Sequence, residues 1–106
     1  MTLDDYQLLA QKVSQDDGHN RILSGVTGLK EAAGKCDDLV KNALFHDQEL
    51  NKAELVDELG NALWCIAEAA AGIERQLDLV AARNIGKLHA LYPERLDVDT
   101  IRRHLN

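Results

Sequence analysis

The sequence is short of the residues that interrupt helices or thicken a core. It has one proline, Pro93, and four aromatic side chains in 106 residues. So little proline leaves long helices unbroken. So few rings exclude a core built on aromatic packing and favour close contact between small and aliphatic side chains. There are two cysteines, Cys36 and Cys65, too few for the disulfide framework of a small secreted domain. Each sits inside an apolar helical pattern, so both read as buried thiols in a reducing cytosol. No apolar run approaches the ~20 residues of a membrane helix. The longest, residues 62–73, is broken by Glu68 and Gly72. The opening Met-Thr-Leu-Asp-Asp has neither the basic start nor the apolar stretch of a signal peptide. A cytoplasmic protein without membrane association is expected. Basic charge is also in deficit, with 12 Lys and Arg against 18 Asp and Glu and a net charge of −6. That balance excludes the basic face a nucleic acid would need. It still permits a nucleotide, provided a divalent cation lies between protein and phosphate.

What the chain does contain is helical periodicity. Thr2, with Asp5 three residues on, predicts the capped start of a first helix, and Tyr6, Leu9, Ala10 and Val13 share its apolar face. Residues 14–20 are polar, contain Gly18 and read as a loop. In the second helix Ile22, Val26, Leu29, Ala33, Cys36, Val40 and Ala43 alternate steps of four and three, the seven-residue seam of left-handed bundles. Asn51 followed by Glu54 predicts the start of a third helix ending near Gly72. Its second half is apolar nearly all round and should be central. A fourth helix spans about residues 78–92 and stops at Pro93, and Val98, Ile101 and Leu105 suggest a last turn of helix. The fold class expected is all-α, a bundle of four to five helices. It forms a single domain over residues 1–106, with a core at about 3–94 and a helical tail at 95–106. The alanine-rich third helix presents more apolar circumference than so short a chain can cover, which predicts a homodimer or tetramer.

The segments LDDYQLLAQKV, GLKEAAGKCDDLVKNALFH, ELVDELGNALWCIAEAA and NIGKLHALYPE together resemble the MazG-like, all-α nucleoside triphosphate pyrophosphohydrolases, above all the small phage-type members. The likeness covers residues from about 3 to 94, in family order and at family spacing. It implies an oligomer of helical subunits that cleaves a nucleoside triphosphate into a monophosphate and pyrophosphate with Mg2+. It also implies two carboxylate pairs at i and i+3 on adjacent helices, which share one face and hold the ion through oxygen.

In this chain the first implied pair falls at Ala32 and Lys35, and the second at Glu58 and Asn61. Only Glu58 keeps the acid. Alanine supplies no ligand, Asn61 offers a neutral oxygen, and Lys35 places an ammonium where a cation should sit. Magnesium binding is therefore expected to be weak or absent; the neighbouring acids Glu31 and Glu54 or Asp57 could, with Glu58, offer a shifted set for a single weakly held ion, and Glu58 and Glu31 would then carry catalysis. Glu31 and Lys35 are also spaced for an ion pair along the helix. On the nucleotide side the resemblance implies contacts from Asn84, Lys87 and Tyr92. Lys35 is a point cation for phosphate, and Trp64 either stacks on a base or fills a core or interface. Basic residues are common in the family where His89 and Leu91 stand here. His19 and His46 are read as loop residues without the partners zinc requires. Asp37, Asp38 and Glu68 are read as solvated or interface acids. The expected function is therefore a nucleotide-binding pseudoenzyme with hydrolysis lost or impaired. The alternatives are an active pyrophosphohydrolase using the shifted acids and a non-catalytic assembly module. No serine elbow, phosphate-binding glycine loop or Cys-x-x-Cys is present.

Overall fold

The structure, a computed structural model, describes residues 1–15 and 17–104. Five helices are found among them: α1 (Leu3–Gln11), α2 (Gly18–Phe45), α3 (Lys52–Gly72), α4 (Leu77–Leu91) and α5 (Val98–His104). Among the described residues there is no strand, and no helix is long and apolar enough to cross a membrane. Asp16, in the first loop, and Leu105, the last residue of the predicted tail stripe, lie outside the described residues.

Local chemistry sets several helix ends. The Thr2 hydroxyl accepts from the Asp5 amide at 3.0 Å while the Asp5 carboxylate accepts from the Thr2 amide at 3.1 Å, a reciprocal capping box. Asn51 caps α3 by accepting from the Glu54 amide at 3.0 Å. Helix α4 ends at Leu91, two residues before Pro93. One boundary differs from expectation. Helix α2 starts at Gly18, so residues 18–20, including His19, are its first turn rather than loop.

Helices α2 and α3 form the body as a close antiparallel pair. A side chain at Gly25 would lie 2.7 Å from the Ala69 nitrogen and 2.8 Å from the Cys65 carbonyl oxygen, and one at Gly28 would lie 2.7 Å from the Cys65 Sγ. The small residues are thus what lets the two axes approach. The predicted seam of α2 divides in two. Ile22, Leu29, Cys36 and Ala43 are partly buried, joined by fully buried Gly25 and Ala32, whereas Val26, Ala33 and Val40 are exposed. The apolar stripe of α2 is wider than α3 can cover.

Helix α1 straps the end of this pair by only part of the face its hydropathy suggested. Ala10 is buried and Tyr6 half-buried, but Leu9 is exposed, as is Val13 beyond the end of the helix, and the other buried residue is Gln7. The Gln7 amide donates to the carbonyls of Ala67 (3.3 Å) and Arg75 (2.9 Å), and its oxygen accepts from the Leu77 amide at 3.0 Å. The Asp4 carboxylate accepts from the Asp78 amide at 2.8 Å. Helix α4 has no cap from its own Gln76, so α1 satisfies its first amides from a distance. Gln7→Leu keeps the volume and strands those buried groups. We expect it to cost about 2–4 kcal/mol, from roughly 1–3 kcal/mol per unsatisfied buried group, read as a lower midpoint in urea unfolding. A midpoint within error of wild type would refute the strap.

Glu68 also departs from its reading as a solvated or interface acid. It is 2% exposed, accepts from the Ser14 hydroxyl at 2.7 Å and lies 3.8 Å from the Arg21 Nε. Its second oxygen has no hydrogen-bond partner among the described residues.

Helix α4 leaves the pair instead of lying along it. The 28-residue α2 is about 42 Å long at 1.5 Å per residue, which accounts for the long extent of 43 Å; the second extent is 39 Å. The radius of gyration is 16.4 Å, against about 13 Å for a compact domain of this length.

Candidate functional site

The contacts of Gly25, Gly28 and Gly72 set the register of the pair: Gly25 faces Cys65 and Ala69, Gly28 faces Cys65, and Gly72 meets Ile22. Continuing that register turn by turn toward the far end brings Ala32 and Lys35 to the level of Glu58 and Asn61. The four positions that the resemblance makes a ligand set thus share one stretch of the α2–α3 pair.

Their chemistry is not that of a metal centre. Ala32 is 4% exposed, part of the packed seam. Lys35 and Asn61 are exposed and Glu58 is half-buried. The Asn61 amide donates to one Glu58 carboxylate oxygen at 3.4 Å, a long contact between neighbours on one turn of α3. Among the described residues no group of three or more His, Cys, Asp or Glu side chains is disposed to hold a metal ion. A magnesium ion needs several oxygen ligands around an octahedron. A single carboxylate, Glu58, with Ala32, Lys35 and Asn61 at the other three positions, does not supply that set.

The neighbouring acids Glu31, Glu54 and Asp57 are exposed. Glu31 lies close enough to α3 that its charge acts on Cys65. Burial first, then the charges of Glu31 and Glu68, push that thiol up from its ordinary value. Cys65 is thereby held as a neutral, inert thiol. Cys36 is likewise a free thiol, half-buried. The expected Glu31–Lys35 ion pair does not form among the described residues. The pair on α2 is Asp37–Lys41 at 2.8 Å, and it raises the Lys41 ammonium above its usual value by a hydrogen bond and by charge.

The implied nucleotide contacts do not come together in one chain. Trp64 sits under α1, its indole N–H donating to the Ala10 carbonyl at 3.4 Å, and the residue is 36% exposed. Asn84 and Lys87 lie on α4, along a groove of about 610 Å3 whose apolar floor is Ile73, Leu79 and Val80. Glu58 and Asn61 lie about 16–21 Å back along α3 from the turn that starts α4. No residue of α2, or of α3 itself, lines that groove. Tyr92 is in a third place, a hollow of about 290 Å3 shared with Leu91, Pro93, Glu94 and Arg95. His89 faces another hollow, between α4 and α5.

Sequence reasoning missed two cations. Arg75 and Arg83 join Asn84 and Lys87 on the rim of the α4 groove. Arg83 precedes Lys87 by one helical turn, and beyond Asp78 helix α4 carries no acid. That run of one sign is the signal that was legible. Nothing in the sequence placed Arg75 beside it, because Arg75 arrives from the α3–α4 turn. No family model matches this chain, and no curated protein or solved structure matches it either.

Proposed function

We propose that the chain is a MazG-like helical oligomer in which magnesium-dependent pyrophosphate hydrolysis has been lost, and which binds nucleotide phosphates through its own cations. The observation that carries this reading is the α2–α3 register. It brings Ala32 and Lys35 to the level of Glu58 and Asn61, where one acid remains and where, among the described residues, Lys35 forms no ion pair. Lys35 compensates part of the phosphate charge as a point cation, without the activated water that cleavage requires. Lys87 and Asn84 contact phosphate from α4, and Trp64 and Tyr92 offer rings to a base. Because one chain keeps these groups apart, a second copy is what would bring them to one ligand.

The exposed surface supports such an assembly. It measures 8267 Å2, against about 5900 Å2 for a compact monomer of this mass. The difference is of the order that a stable interface removes from solvent.

Calorimetry with deoxynucleoside triphosphates, with and without magnesium, tests the reading. Binding that persists in EDTA and releases no pyrophosphate is the expected result. Magnesium-dependent binding with pyrophosphate release would replace it with an active enzyme using Glu31, Glu54, Asp57 and Glu58. No binding under either condition would leave an assembly module.

A further inference from the structure

We propose that the α4 groove is a metal-independent site for a small molecule carrying a diphosphate or triphosphate group, with Arg75 and Arg83 as phosphate ligands beside Lys87 and Asn84. This rests on the preceding reading in taking Lys87 and Asn84 as phosphate contacts, and it adds the two arginines and the means of charge balance. In a chain of net charge −6, every charged residue lining this groove is positive: Arg75, Arg83 and Lys87. Among the described residues none of the three forms an ion pair. Arg83 and Lys87 are like charges one turn apart on a helix, an arrangement that disfavours itself until an anion lies between them.

Arg75 is held in place from the other side. Its guanidinium donates to the carbonyls of Glu74 (3.1 Å) and Ile73 (3.4 Å), which fixes it at the head of the groove while leaving further N–H groups for a ligand. A guanidinium presents a planar fork matched to phosphate oxygens. Arg83 and Lys87 are about 6 Å apart along the helix axis, a span that linked phosphates can bridge. The groove volume of about 610 Å3 is in the range of small-molecule sites. Its floor of Ile73, Leu79 and Val80 gives an attached base or sugar an apolar surface to lie on. Three cations do here what a divalent ion does elsewhere, so no metal is required.

The test is titration calorimetry on the full chain in EDTA with inorganic tripolyphosphate and, separately, with a deoxynucleoside triphosphate. Both should bind, the nucleotide more tightly because of the floor, and both more weakly as salt is raised. Arg75→Ala and Arg83→Ala should each weaken both ligands about tenfold. Lys41→Ala, an exposed cation outside the groove, should leave affinity within twofold, and circular dichroism should show the same helix content throughout. Nucleotide binding indifferent to both arginine substitutions overturns the groove while leaving nucleotide binding by the chain intact. Tripolyphosphate binding that depends on the arginines, without any preference for nucleotide, keeps the groove and removes the nucleotide reading. A change in oligomer mass on Arg83→Ala, with no anion bound by the wild type, assigns the groove to a contact between copies and overturns the proposal.

Discussion

Val26→Asp combined with Val40→Asp should break the proposed oligomer into monomers. Both valines lie on the outer half of the α2 seam, 56% and 37% exposed in the single chain. With Ala33 between them, they continue a seven-residue stripe whose other half is packed on α3. A second copy that covered this stripe would complete a four-helix bundle at the shallow crossing angle such a repeat produces. Burying a valine is worth about 1.5 kcal/mol or more, and a two-fold interface counts each position twice. Aspartate also adds repulsion in an already acidic chain. A loss of about 4 kcal/mol or more, roughly a thousandfold in Kd, is the expected effect. Light scattering across a concentration series should give the wild type at least twice the mass of 11.7 kDa and the double variant that mass once. A wild type that stays at a single chain's mass at high concentration would remove the assembly, and with it the means of joining Lys35 to Lys87.

Gly25→Ala is expected to be the most damaging single methyl in the protein. The new Cβ would meet the Ala69 nitrogen at 2.7 Å and the Cys65 carbonyl oxygen at 2.8 Å. Both are backbone atoms of a helix and neither can swing aside, so α2 and α3 must separate. Overpacking of this kind costs about 1–3 kcal/mol and somewhat more when backbone must move. Gly34→Ala is the opposite case. It lies mid-helix with nothing within 4 Å of the added carbon, so alanine should stabilise by about 0.5–1 kcal/mol through helix propensity and the unfolded chain. Urea unfolding of both variants at one protein concentration reads the contrast directly. Equal midpoints would mean that the two helices do not approach as closely as described.

The features legible beforehand are local ones. The Thr2–Asp5 box, the Asn51 cap and the stop before Pro93 each depend on residues within one turn of each other, so spacing alone reveals them. The features that escaped depend on contacts across the chain. Gln7 is a polar residue in an amphipathic helix, and nothing nearby in sequence says that its amide is needed by carbonyls some sixty residues away. Glu68 looks like one acid on a helix surface until α1 and the start of α2 close over it. The same holds at the candidate site. Ala32, Lys35, Glu58 and Asn61 were named by resemblance, but that Ala32 is buried is a fact of packing. Arg75 joined the α4 groove only once the turn after α3 was formed.

Composition and periodicity by themselves determined an all-helical chain, several of its helix ends and an apolar surplus on α2 and α3, because backbone hydrogen bonding and amphipathic spacing are short-range effects. Which half of that surplus is spent inside the chain, which polar side chains are pulled under α1, and which cations share a groove were decided by the tertiary structure alone. The reason is geometric: glycines at the α2–α3 contact set how near two helices lie, and that distance selects the residues that face each other.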